Sequence, residues 1–184
     1  MGAGGGGSDA PYVVPVLDGI ETDFFEWRDA ARYRATGGSG TMHRASGNLL
    51  EVRYGTDGSN LHVRADLAEA ARGDRANGIA LLFPGPQERR VRLPLGAGAG
   101  PLSWAGEAGS DGVADAGEFA VGETVEIRIP LTRLRREDSG VAEPIRFQVA
   151  LERDSRPEEV APSSGWFLLR AMDQNPRLTH WSAL

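Results

Sequence analysis

The run Glu51-Val-Arg-Tyr-Gly-Thr-Asp-Gly-Ser-Asn-Leu-His-Val-Arg-Ala-Asp66 decides how this chain folds. From Asn48 the side chains alternate: Leu50, Val52 and Tyr54 share one face, and Leu49, Glu51 and Arg53 share the other. A period of two marks a strand with one buried face. Asp57-Gly58 follows, a dipeptide that tolerates positive φ in a tight turn. The returning strand sets Leu61, Val63, Ala65 and Leu67 against His62, Arg64 and Asp66. The stretch therefore reads as a β-hairpin, aliphatic inward and polar outward.

Working outward, residues 12–16 are a short apolar run broken by Pro15, which suits an edge strand. Asp18-Gly19 turns the chain, and residues 24–33, with Phe24, Phe25 and Trp27, fit either a helical turn or a strand. Residues 36–40 read as a polar loop. Residues 68–78 form a loop with one helical turn, and strands at 79–83 and 91–95 flank the Pro84-Gly-Pro86 turn. Residues 95–122 are a glycine-rich excursion with room for two short strands. Alternation then returns: Val125, Ile127, Ile129 and Leu131 oppose Glu126, Arg128 and Pro130, while Ile145, Phe147, Val149 and Leu151 oppose Arg146, Gln148 and Glu152. Residues 153–165 read as a charged loop, 166–172 as a strand, and 173–184 as a tail that docks through Trp181. Many short strands, Gly/Pro/Asp turns and no long helical period predict an all-β fold. Its expected form is a two-layer antiparallel β-sandwich of immunoglobulin or jelly-roll type.

The 184 residues suit one such domain over 11–184, preceded at 1–10 by a flexible Gly-rich linker or an expression remnant. All twenty basic residues are arginine, yet the formal charge is -6, which argues against a nucleic-acid partner. There is no cysteine, so thiolate chemistry, disulfides and cysteine-held metals are excluded. No window reaches the roughly twenty apolar residues of a membrane helix, and no signal peptide is visible. A soluble, cytoplasmic protein with no membrane partner is expected.

Catalytic patterns are missing. His43, His62 and His180 lack metal-ligand spacing, Gly37-Gly-Ser-Gly40 lacks the spacing of a nucleophile elbow, and no glycine run continues into a phosphate-binding loop. No cofactor is expected beyond a structural calcium, for which Asp111, Asp115 and Glu118 could supply oxygens. The aromatics are more informative. Trp27, Tyr33 and Trp104 fall at predicted loops or their margins, where rings can stack on the C–H faces of sugars while neighbouring polar groups read the hydroxyls. His43, Arg64 and Asp66 are the candidate hydroxyl partners.

Leu17-Asp-Gly19, Asp23-Phe-Phe-Glu-Trp27, Tyr33, Met42-His43, Val52-Arg-Tyr-Gly-Thr-Asp57, Asn60-Leu-His-Val-Arg64 and Asp66 together resemble the C-terminal β-domain of bacterial family-57 glycoside hydrolases. Val125-Glu-Ile-Arg-Ile-Pro130, Ile145-Arg-Phe-Gln-Val149 and Trp181-Ser182 agree in style, so the resemblance runs from about Pro11 to the end. It implies a DOMON-like or family-9 carbohydrate-binding-module-like sandwich. It also implies a non-catalytic accessory domain whose partners are an α-glucan or other polysaccharide and a catalytic glycosidase domain. The alternatives are a structural domain that packs on the catalytic barrel without binding sugar, and an independent glycoside hydrolase.

Overall fold

The structure, a computed structural model, describes residues 11–23, 25–35, 47–72, 77–85, 88–96, 98–105, 116–135 and 143–170. The proposed linker at 1–10, His43, Asp111, Asp115, Trp181 and His180 lie outside them.

The hairpin forms as expected. Strands β2 (Leu49–Thr56) and β3 (Asn60–Leu67) pair antiparallel, with Val52 opposite Ala65 and Tyr54 opposite Val63. Gly58 takes φ 92°, and Asp57 Oδ1 accepts from the backbone N–H of Ser59 and Asn60 at 2.8 and 2.7 Å, so the turn closes on its own side chain. One pair departs from simple alternation. A bulge between Leu49 and Glu51 turns Leu49 into the core and leaves Leu50 exposed, the reverse of the expected assignment.

The remaining strands are β1 (Ala31–Arg34), β4 (Asn77–Phe83), β5 (Arg89–Pro94), β6 (Ala99–Pro101), β7 (Ser103–Trp104), β8 (Glu118–Val121), β9 (Val125–Pro130), β10 (Ile145–Arg153), β11 (Arg156–Ala161) and β12 (Phe167–Leu169). Two single helical turns, α1 (Glu69–Arg72) and α2 (Leu131–Leu134), follow β3 and β9. The first sheet runs β1-β2-β3-β9-β8-β6 and the second β11-β10-β4-β5-β7, with β12 also on β10. Every ladder is antiparallel, and the two layers make an all-β sandwich. β11 falls inside the stretch read as a charged loop. Its mostly exposed Arg-Pro-Glu-Glu sequence has no alternation because an edge strand needs little burial.

Between the sheets, Val52, Leu61, Val63, Ile127 and Ile129 face Ile79, Leu81, Leu93, Phe147, Val149 and Leu151 in one continuous core. Each such side chain contributes about 1.5–3 kcal/mol when taken from water, so this seam holds the layers together. Aromatic rings close one flank: Tyr33 meets Phe167 edge-on at 5.4 Å, and Tyr54 meets Phe147 at 5.2 Å. Beside them Glu159 accepts from the N–H groups of Asn48 and Leu49 at 2.7 and 2.9 Å, tying β11 to the start of β2.

The described residues of 11–30 form no ladder. They run as a strap over the outer face of the first sheet, opened by a single parallel bridge between Tyr12 and Thr56 in place of the expected edge strand. Gly19 sits at φ 77° against Gly122, where an added Cβ would lie 2.6 Å from the Gly122 nitrogen. Gly19→Ala combines left-handed strain with a backbone clash. A loss of about 2–4 kcal/mol is expected in urea unfolding, with Trp27 fluorescence shifting to the red as the strap lifts.

Candidate functional site

The outward side chains of β3 and β9 are polar, yet several are buried. Arg64 stands opposite Glu126 and His62 opposite Arg128 across the ladder. Strap and turn cover them: His62 and Arg64 are nearly inaccessible and Glu126 is fully so. Glu126 is the anchor. Its Oε2 accepts from the N–H groups of Asp18 and Gly19 at 3.1 and 3.0 Å, and its Oε1 from Trp27 Nε1 at 3.3 Å. Burial pushes its carboxyl above the ordinary range, against the pull of these donors.

His62 joins this layer to the hairpin turn through Nε2, 2.8 Å from Asp57 Oδ2. Burial lowers the imidazole below its usual value, outweighing the Asp57 contact, so the ring is neutral at pH 7 and donates from Nε2. Nδ1 is then a bare acceptor, with no hydrogen-bond partner among the described residues. Asp57 also takes Asn60 Nδ2 at 2.9 Å. Burial raises its carboxyl, and the His62, Asn60 and backbone donors overcome that and hold it at about 2.

At the end of this polar face, where the strap leaves β6, β8 and β9 uncovered, lies an open cleft of about 710 Å³. Asn60, Glu118 and Arg128 supply its polar groups; Leu17, Pro101 and Pro130 supply apolar wall. Glu118 and Arg128 face each other across the β8–β9 ladder and form an ion pair that is partly open to solvent. The cleft thus offers a carboxylate acceptor, a guanidinium fork and an amide beside small apolar surfaces. That set can hydrogen-bond neighbouring hydroxyls while seating C–H faces.

The expected site residues fall differently. Trp27, within the strap, is turned toward the sheet and is 2% exposed. Trp104 is 4% exposed, stacked on Phe83 at 5.8 Å, covered by the guanidinium groups of Arg89 and Arg133, and donating Nε1 to Ala116 O at 2.7 Å. Neither indole offers a face to a sugar. Tyr33 spends its ring on Phe167, and its hydroxyl accepts from Ser163 N at 3.4 Å. Arg64 donates to Asp66 and Glu21 at 2.9 and 2.8 Å, which leaves both acids committed to structure. Trp27, Arg64 and Asp66 share the outer face of the first sheet, whereas Trp104 belongs to the second. Glu118, read as a calcium candidate, pairs with Arg128 instead. Among the described residues no group of three or more His, Asp or Glu could hold a metal ion. Trp166, expected in a strand, precedes β12 and is 37% exposed. Asn60 and Arg128 were missed as site residues. The signal available was the Glu126/Arg128 alternation, which put Arg128 on the polar face without showing that β9 lies beside β3.

No protein-family model and no curated protein matches this chain. Among the described residues, no helix is long and apolar enough to cross a membrane.

Near the strap, Glu51 lies under three arginines, accepting Nε from Arg32 at 2.7 Å, Arg34 at 3.0 Å and Arg53 at 2.6 Å. Burial raises its carboxyl, and the three donors overturn that and hold it at about 2. A depressed acid adds stability above its unfolded value near 4.5 and loses it as pH falls toward 2. Glu51→Gln should therefore cost about 1–2 kcal/mol at pH 7, reduced by solvent around Arg32 and Arg34, and its deficit should close between pH 4.5 and 2. Urea midpoints of both proteins across that range check it.

Proposed function

We propose that this chain is a non-catalytic module that binds carbohydrate through the cleft at β6, β8 and β9. What supports the reading is the convergence of Asn60, Glu118 and Arg128 on one concave, partly apolar surface. The cleft's size falls within the range of small-molecule sites, and its groups suit one or two sugar units. The resemblance to the accessory domain of family-57 glycoside hydrolases points the same way and names the class of ligand, an α-glucan or a related polysaccharide. Buried Trp27 and Trp104 are removed from the expected platform, so hydrogen bonding carries recognition and the stacking surface is limited to Leu17 and the two prolines.

A second reading, packing on a catalytic glycosidase domain without sugar, is favoured by a separate observation. Tyr12, Val14, Val16, Ile20 and Phe25, all in the strap, are 40–62% exposed. Exposed apolar side chains gathered on one segment usually mark a contact.

Affinity electrophoresis in gels containing starch, glycogen or dextran separates the two. The carbohydrate reading expects wild-type protein to be retarded by at least one polymer. Arg128→Ala or Asn60→Ala should then weaken retention about ten-fold or more, the worth of one hydrogen bond to a charged or well-placed group. Unchanged mobility in every gel would leave only the packing reading.

A further inference from the structure

We propose that the β1–β2 edge of the first sheet binds the carboxylate or sulfate groups of an acidic polysaccharide through the guanidinium forks of Arg32, Arg34 and Arg53. The polysaccharide rests on the carbohydrate reading above; the anion site rests on separate residues.

Arg32 stands opposite Arg53, and Arg53 stands opposite Arg64, so three adjacent strands present arginine side by side. Like charges directly opposite one another destabilise a sheet unless acids intervene. Arg64 is discharged by Asp66 and Glu21 and is buried. Asp66, the residue opposite Glu51, turns to Arg64 and gives the outer three no relief. Among the described residues Arg32, Arg34 and Arg53 therefore share Glu51, three positive charges against one negative, in a chain whose formal charge is -6.

Glu51 arranges these arginines as well as balancing one of them. It takes Nε from each, which leaves the paired Nη edges directed away from it. The Arg32 and Arg34 side chains remain 47% and 65% exposed, while that of Glu51 is 9% exposed beneath them. A carboxylate or sulfate offers two oxygens at the spacing a guanidinium fork matches. Because Glu51 holds the three forks in place beforehand, an incoming anion orders little side chain on binding. The negative chain as a whole disfavours a dense polyphosphate, and a saccharide with spaced acids meets less of that repulsion.

Calorimetric titration of the full chain with galacturonate oligomers and with dextran sulfate, against neutral dextran, at about 0.15 M salt tests the site. Wild-type protein should bind one or both charged ligands and ignore neutral dextran at this edge. Arg32→Gln/Arg34→Gln should weaken that binding about ten-fold or more while the variant, lowered in melting temperature by the loss of two Glu51 donors, still unfolds cooperatively above the titration temperature. Arg34→Gln alone, at the most exposed position, serves where the pair disturbs folding. Arg32→Lys/Arg34→Lys should weaken it too, because a point charge lacks the fork. No binding of either ligand, equal binding by the glutamine variant, full retention by the lysine variant, or equally tight binding of single-stranded DNA would each overturn the assignment. Arg128→Ala should leave acidic-ligand binding intact, and the glutamine variant should leave neutral-glucan retention intact, so the two sites fail separately.

Discussion

A carboxylate with no access to water, Glu126, holds the N-terminal strap to the body of this protein. Its two oxygens take three N–H donors from Asp18, Gly19 and Trp27, which lie about a hundred residues earlier in the chain. Removing a charge from water is expensive unless hydrogen bonds replace the lost solvation, and a group that cannot be fully compensated rises in pKa. Glu126 does both: it is bonded, and its carboxyl is still pushed upward. The strap's position follows from that anchor. Trp27 is buried because its indole must reach Glu126, and Leu17, one residue before the anchored Asp18, becomes a wall of the cleft.

Two kinds of burial therefore coexist on the first sheet. Its inner face is packed in the ordinary way, with aliphatic side chains meeting those of the second sheet. Its outer face is packed with paired charges, Arg64 with Asp66 and Glu21 and Glu51 with three arginines, and with the hydrogen bond from neutral His62 to Asp57. Such pairs add little net stability where they are exposed, but breaking one beneath cover leaves an uncompensated group. The outer layer therefore specifies where the strap lies more than it raises stability, and most of the folding free energy belongs to the apolar seam.

The same distinction explains what could be read from the sequence. Alternation of aliphatic and polar residues revealed β2, β3, β9 and β10 together with their inward faces, because burial of one face is a local property of a strand. Leu49 and Leu50 exchanged roles because a bulge breaks the period without any marker in two identical residues. β11 escaped because an edge strand with exposed faces shows no period. Trp27 and Trp104 looked available because loop position was taken as exposure. What buries them comes from distant segments: Glu126 on β9 for one, Phe83, Arg89 and Arg133 for the other. His62 and Arg64 were placed on the correct face, but that face has its own cover. Asn60 and Arg128 become neighbours only through the β3–β9 pairing, which local alternation does not specify.

The strap also decides which parts of the polar face can meet a ligand. Beneath it, Arg64 and Glu126 are saturated by internal partners and closed to solvent. Beyond one side of it, Glu118 and Arg128 remain partly open in a concave surface. At the β1–β2 edge, Arg32 and Arg34 stay exposed above Glu51, the one acid they share among the described residues. The two uncovered regions differ in charge balance, since the cleft sets one guanidinium against one carboxylate and the edge sets three against one. A neutral polyol suits the first, whose donors and acceptors are matched, while the surplus at the second is relieved only by an incoming anion. One sheet face, divided by a segment fixed at Glu126, thus exposes two surfaces that differ in charge balance, and neither includes the tryptophans that the sequence brought forward.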